Sequence, residues 1–71
     1  MNGHQKLANA IIEQAVKDYR GALRKIKTRR DSKAAVAEAL EIERFYQSGI
    51  YAALTDIDPD YLISRLRKEA A

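Results

Sequence analysis

The apolar positions in the first third of the chain fall on a heptad. Ala8, Ile12, Ala15, Tyr19, Ala22 and Ile26 are spaced 4, 3, 4, 3, 4, the register in which one stripe of an α-helix faces a partner helix. Leu7, Ile11, Val16 and Leu23 widen that stripe into a broad apolar face. Small Ala alternates with large Ile and Tyr along the seam, so a second helix can approach closely. The pattern predicts a first helix from about His4 to Lys27 or Thr28, with Asn2 as a candidate cap. Gly21 falls inside it at a cost of roughly 1 kcal/mol against Ala; it marks either a close helix contact or a tolerated surface position. The face is wider than two short partner helices readily cover, and this predicts a homodimer or higher oligomer.

The polar segment TRRDS, residues 28–32, interrupts the pattern. Asp31 or Ser32 suits the N-cap of a second helix running to Tyr46, and so short a connection joins antiparallel neighbours. In this helix Val36, Ala39, Leu40 and then Glu43 or Phe45 follow helical spacing, with Ile42 and Tyr46 flanking. At Gln47-Ser48-Gly49, either Gly49 ends the helix or Ser48 caps a short new one carrying Ile50, Tyr51 and Leu54. Asp58-Pro59-Asp60 is the clearest helix start: Asp58 at the cap, Pro59 at the first helical position, and Asp60 near the positive end of the helix dipole. Tyr61, Leu62 and Leu66 supply the expected buried face of that last helix, with Ile63 beside it. The expected fold is all-α and occupies residues 1–71 as one domain. It is a long helical hairpin with a kinked or short helix near residues 49–55 and a C-terminal helix, a three- to four-helix bundle.

Composition narrows the chemistry. The chain has 71 residues, no Cys and one His, which excludes disulfides, thiolate metal sites and a histidine metal cluster. Stability must then come from helix packing, self-association or both. There is no apolar run long enough to span a bilayer and no apolar core of signal-peptide type near the start, so a cytoplasmic protein without membrane contact is expected. Asp56, Asp58 and Asp60 superficially open a calcium loop, but the required Gly and Glu positions hold Tyr61 and Arg67, and Pro59 interrupts it; helix capping is the better reading. His4 has no Ser or Cys beside it to activate. Glu38, Glu41 and Glu43 do not all share one helix face. No Gly-rich phosphate cradle is present. Neither catalytic residues, metal ligands nor a cofactor are expected, and the chain reads as a non-enzyme.

The net charge of +3 conceals a strong polarity. Residues 20–33 carry seven cations against Asp31 alone, whereas residues 34–60 carry six acids against Arg44 alone. Arg20, Arg24 and Lys27 form one stripe on the first helix by their spacings of 4 and 3, and Arg29, Arg30 and Lys33 carry the charge around the connection. Two readings stand. One is a solvated helix end, favoured by the dipole, with Arg20 or Arg24 paired to acids of the second helix. The other is a binding segment for an acidic partner, either nucleic acid or an acidic protein surface. No aromatic residue lies between Arg20 and Lys33, so base stacking is not supported there. Tyr46 and Tyr51 flank the Gly49 break, either as packing around the kink or as aromatic contacts for a partner.

The segments ANAIIEQAVKDYRGAL, EIERFY, LTDIDPDYLI and RLRKE resemble a group of small, uncharacterised, all-helical proteins from phages, prophages and mobile elements of Firmicutes. The likeness covers roughly Leu7 to Glu69. The chain departs from the group at Gly49-Ile50, where an acidic residue followed by an aromatic is more usual. The resemblance carries no catalytic residue. It implies a phage or mobile-element accessory protein, acting in the cytoplasm of a bacterial host, that binds a host or defence protein. An inhibitor of an anti-phage system such as a CRISPR effector is the sharpest form of that expectation. A small basic nucleic-acid-binding protein and a structural helical oligomer are the alternatives.

Overall fold

The structure, a computed structural model, describes residues 3–70; the proposed Asn2 cap and the His4 side chain lie outside what it describes. Four helices follow one another: α1 (Gly3–Thr28), α2 (Lys33–Tyr46), α3 (Gly49–Leu54) and α4 (Pro59–Ala70), with no strand among the described residues. This is the all-α hairpin with a short third helix and a C-terminal helix that the periodicity predicts. At 1.5 Å per residue α1 is about 39 Å long, so it alone runs nearly the full 42 Å of the molecule. The other three helices pack along it.

Local chemistry fixes the helix ends. Thr28 Oγ1 donates back to the carbonyls of Arg24 and Lys25, closing α1. Ser32 is the N-cap of α2 and accepts from the Ala35 N–H at 3.3 Å. Ser48 does the same for α3, accepting from the Tyr51 N–H while its hydroxyl donates to the Phe45 carbonyl at 2.6 Å. The break at residues 47–49 is therefore the start of a new helix, made by Ser48. Gly49 has a negative φ. In α4 the Asp58 carboxylate accepts from the Asp60 N–H at 3.0 Å, with Pro59 at the first helical position. Replacing Asp58 with Ala is expected to lower stability by roughly 0.5–2 kcal/mol, and Asp58→Asn by less, because an amide oxygen also caps. Urea denaturation followed by circular dichroism checks both values.

The heptad of α1 is the spine of the core. Ala8, Tyr19 and Ala22 are buried, and Ile12, Ala15 and Ile26 are half-buried. Val16 and Leu23 are packed against the core as well, but Leu7 and Ile11 stay exposed. Gly21 marks no close approach: a Cβ there would meet nothing within 4 Å among the described residues, so it is a tolerated position.

Two expected faces are rotated from where the spacing put them. In α2 the inward stripe is Ala35, Ala39, Ile42 and Tyr46, while Val36 and Leu40 face outward. The reason is steric. Ala35 and Ala39 let α2 approach α1 closely, and the large Tyr46 ring sits against Tyr19 on the same stripe. In α4 the buried pair is Ile63 and Leu66, with Leu62 half-buried, and Tyr61 is 57% exposed. Tyr61 instead accepts a hydrogen bond from Arg65, one turn on.

Aromatic rings tie the helices together. Tyr19 of α1 meets Tyr46 of α2 edge to face at 5.7 Å, and Tyr46 meets Tyr51 of α3 at 5.5 Å. Phe45 stands edge-on to Tyr51 at 6.0 Å. Such edge-to-face pairs add to the gain from burial. The Tyr51 hydroxyl donates to the Ile57 carbonyl at 3.0 Å, which pins the connection between α3 and α4. Tyr46 and Tyr51, considered from the sequence as aromatic contacts for a partner, are thus fully buried around the break and do not present their rings to solvent.

Candidate functional site

Polar side chains from three helices converge at the edge of the core. Tyr19 of α1 donates its hydroxyl to Glu43 Oε2 of α2 at 2.8 Å. Arg67 of α4 donates its Nε to the Tyr19 hydroxyl at 3.2 Å and its Nη2 to both Glu43 oxygens at 2.9 Å. Three helices are clasped by three side chains. Periodicity overlooked this clasp, yet a signal for it was present: Glu43 sits four residues after Ala39 and three before Tyr46, so a charge lies on the inward stripe of α2 and requires a partner. Glu43 therefore points away from Glu41, which faces a different surface.

Burial pushes the Tyr19 hydroxyl above its ordinary value of 10.0; the adjacent Glu43 carboxylate adds to this and the Arg67 guanidinium opposes it. Burial likewise raises Tyr46 and Tyr51. The hydrogen bonds to Glu43 and Tyr19 push Arg67 up in turn. A phenol raised in the folded state holds its proton more tightly there than in the unfolded chain. Its stabilising contribution is complete below about pH 10 and is lost as pH rises through the folded values. The expected result is a melting temperature that falls steeply above about pH 10. Tyrosinate absorbance of the buried rings should appear together with unfolding, and Tyr46→Phe should make the fall shallower.

The basic segment divides into two groups. Arg20, Arg24 and Lys27 line a shallow cavity of about 240 Å³ closed by Leu66, Glu69 and Ala70 of α4. Arg20 Nε donates to Glu69 Oε2 at 3.0 Å, so this arginine is paired with α4 and not with an acid of α2. Arg30 and Lys33 line a second hollow beyond the connection, with Val36, Ala37 and Leu40. Arg29 is exposed between the two groups. Among the described residues, Arg24, Lys27, Arg29, Arg30 and Lys33 form no salt bridge.

A third surface lies between α1 and α2. Ile11, Ala15, Ile42 and Phe45 floor a groove of about 390 Å³, and Gln14, Asp18 and Glu41 stand along it. Asp18 accepts from Gln14 at 2.9 Å, and neither acid is in a salt bridge among the described residues. Among those residues no three His, Asp or Glu side chains gather as a metal site would require, and no helix is long and apolar enough to cross a membrane.

Fold and surface together define a small all-α helical bundle with a polarised charge pattern. No protein-family model, no curated protein and no solved structure matches the chain.

Proposed function

We propose that this chain is a non-enzymatic binding protein, a phage or mobile-element accessory factor that engages a host or defence protein in the bacterial cytoplasm. Inhibition of an anti-phage system, a CRISPR effector being the sharpest case, is the form the resemblance favours. The observation that carries the binding reading is the unpaired positive end of the bundle. Arg24, Lys27, Arg29, Arg30 and Lys33 are all exposed and none is neutralised by an ion pair among the described residues. Surface cations so grouped attract an acidic partner and raise its association rate. The non-enzymatic part is supported by the clasp, where Tyr19, Glu43 and Arg67 spend their hydrogen bonds on one another.

The same cations favour a second reading, a duplex-phosphate contact, because five of them lie within ten residues. Affinity for nucleic acid falls steeply with salt. The deciding experiment is capture of partners from host lysate with and without nuclease treatment, repeated with Arg24, Arg29 and Arg30 all changed to Glu. A protein retained after nuclease and lost on charge reversal supports the defence-partner reading. Capture abolished by nuclease supports the phosphate reading. Binding and biological activity undiminished by the reversal, with helicity intact, reject both.

A further inference from the structure

The two flanks of α2 carry complementary surfaces. On one flank, Lys33, Val36, Leu40 and Arg44 follow each other at spacings of 3, 4 and 4, and all four are exposed. Helical neighbours at these spacings lie on one face, so an apolar pair, 40% and 52% exposed, is bracketed by two cations. Neither cation is in a salt bridge among the described residues. On the other flank lies the groove of Ile11, Ala15, Ile42 and Phe45 with Asp18 and Glu41 along its edges. Leu40 and Phe45 are five residues apart, which places them roughly 140° apart around the helix axis. The apolar floor of the groove therefore faces away from the apolar pair of the strip, and Glu41, three residues before Arg44, stands at the rim between them.

We propose that the groove of one copy receives the Val36–Leu40 strip of a second copy, so that the chain associates head to tail. The charges select this arrangement. Groove against groove would set Asp18 and Glu41 of one copy near those of the other, and strip against strip would oppose Lys33 and Arg44 with themselves; like charges so placed are repulsive. Strip in groove joins apolar centre to apolar centre and cation to acid. The exposed Leu7 lies one turn before Ile11 on α1 and extends the apolar floor past the end of the groove. Because the two contacting surfaces differ, each added copy presents a fresh groove or strip, and the contact yields a ring or an open chain, not a closed twofold dimer. A contact of one helix face is small, so assembly belongs at high micromolar concentration. This inference shares Lys33 with the partner reading, but the variants that test it leave Arg24, Arg29 and Arg30 unchanged, so the two can fail separately.

Sedimentation velocity over a concentration series tests it with the wild type, Ile11→Arg and Leu40→Glu. The wild type is expected to rise from 8.0 kDa through and beyond twice that mass. Each variant alone is expected to remain a monomer, since each destroys one of the two surfaces. An equal mixture is expected to form a species of two copies and no larger, because the Ile11→Arg copy keeps its strip and the Leu40→Glu copy keeps its groove. A wild type that stays monomeric throughout overturns the proposal. So does loss of assembly in only one variant, the mark of a twofold contact, or a mixture that stays monomeric. Should circular dichroism show either variant unfolded, Glu41→Lys and Arg44→Glu, both at exposed positions, replace them with the same pattern of outcomes.

Discussion

Tyr46→Ala is expected to remove a large share of the folding stability, whereas Tyr46→Phe folds as well as the wild type or better. Tyr46 is fully buried and touches the rings of Tyr19, Phe45 and Tyr51. Truncating a buried aromatic to alanine costs about 3–5 kcal/mol. At roughly 0.05–0.15 kcal/mol per residue, a chain of 71 residues has only about 4–11 kcal/mol in total. The hydroxyl contributes differently. It is buried and has no hydrogen-bond partner among the described residues, and a buried polar group left so costs about 1–3 kcal/mol. Phenylalanine removes that cost and leaves the ring contacts in place. Urea midpoints for the two variants check the pair of expectations; a Tyr46→Phe protein as unstable as Tyr46→Ala would mean the hydroxyl is bonded after all.

Glu43→Ala comes next in size. It removes the acceptor for both the Tyr19 hydroxyl and the Arg67 guanidinium. Hydrogen bonds to a charged group contribute about 1.5–3 kcal/mol, but the Arg67 side chain is 58% exposed and its share is screened by water. The expected loss is about 1–2 kcal/mol. Glu43→Gln should lose less, because it keeps an acceptor for Tyr19. Arg67→Ala should also lose less, because the Tyr19–Glu43 bond survives it. Chemical denaturation of the three variants in one buffer gives the ranking.

Local signals made most of the architecture readable. The α1 heptad, Ser32, Ser48 and Asp58-Pro59 each act within four residues of themselves, and each does in the structure what its chemistry implies. What spacing could not settle was rotation about the helix axis. Val36 and Leu40 fit an inward stripe of α2 as well as Ala35 and Ala39 do by period alone; the choice fell to close packing of small residues against α1 and to the Tyr19–Tyr46 contact, which no single helix encodes. The ring of Tyr61 fits an inward position by spacing, but its polar tip and Arg65 one turn away suit the surface. The candidate site was readable as composition only. The run from Arg20 to Lys33 is plain in the sequence, but that Arg20 is taken up by Glu69, 49 residues away, depends on how α4 folds back.

The dependence of every other helix on α1 has a consequence for motion. α2 and α3 pack on α1 and on each other, whereas α4 leans chiefly on α1 and meets α2 through the exposed head of Arg67 and through Asp60, which accepts from Gln47 at the end of α2 at 2.7 Å. Its removal from the bundle sacrifices the Leu66 and Ile63 contacts, the Arg20–Glu69 pair, the Gln47–Asp60 hydrogen bond and half of the clasp, whereas the ring contacts of Tyr46 with Tyr19 and Tyr51 lie outside α4. Of the three helices packed on α1, α4 is the one expected to open first, and its amides should exchange with solvent before those of α1 and α2.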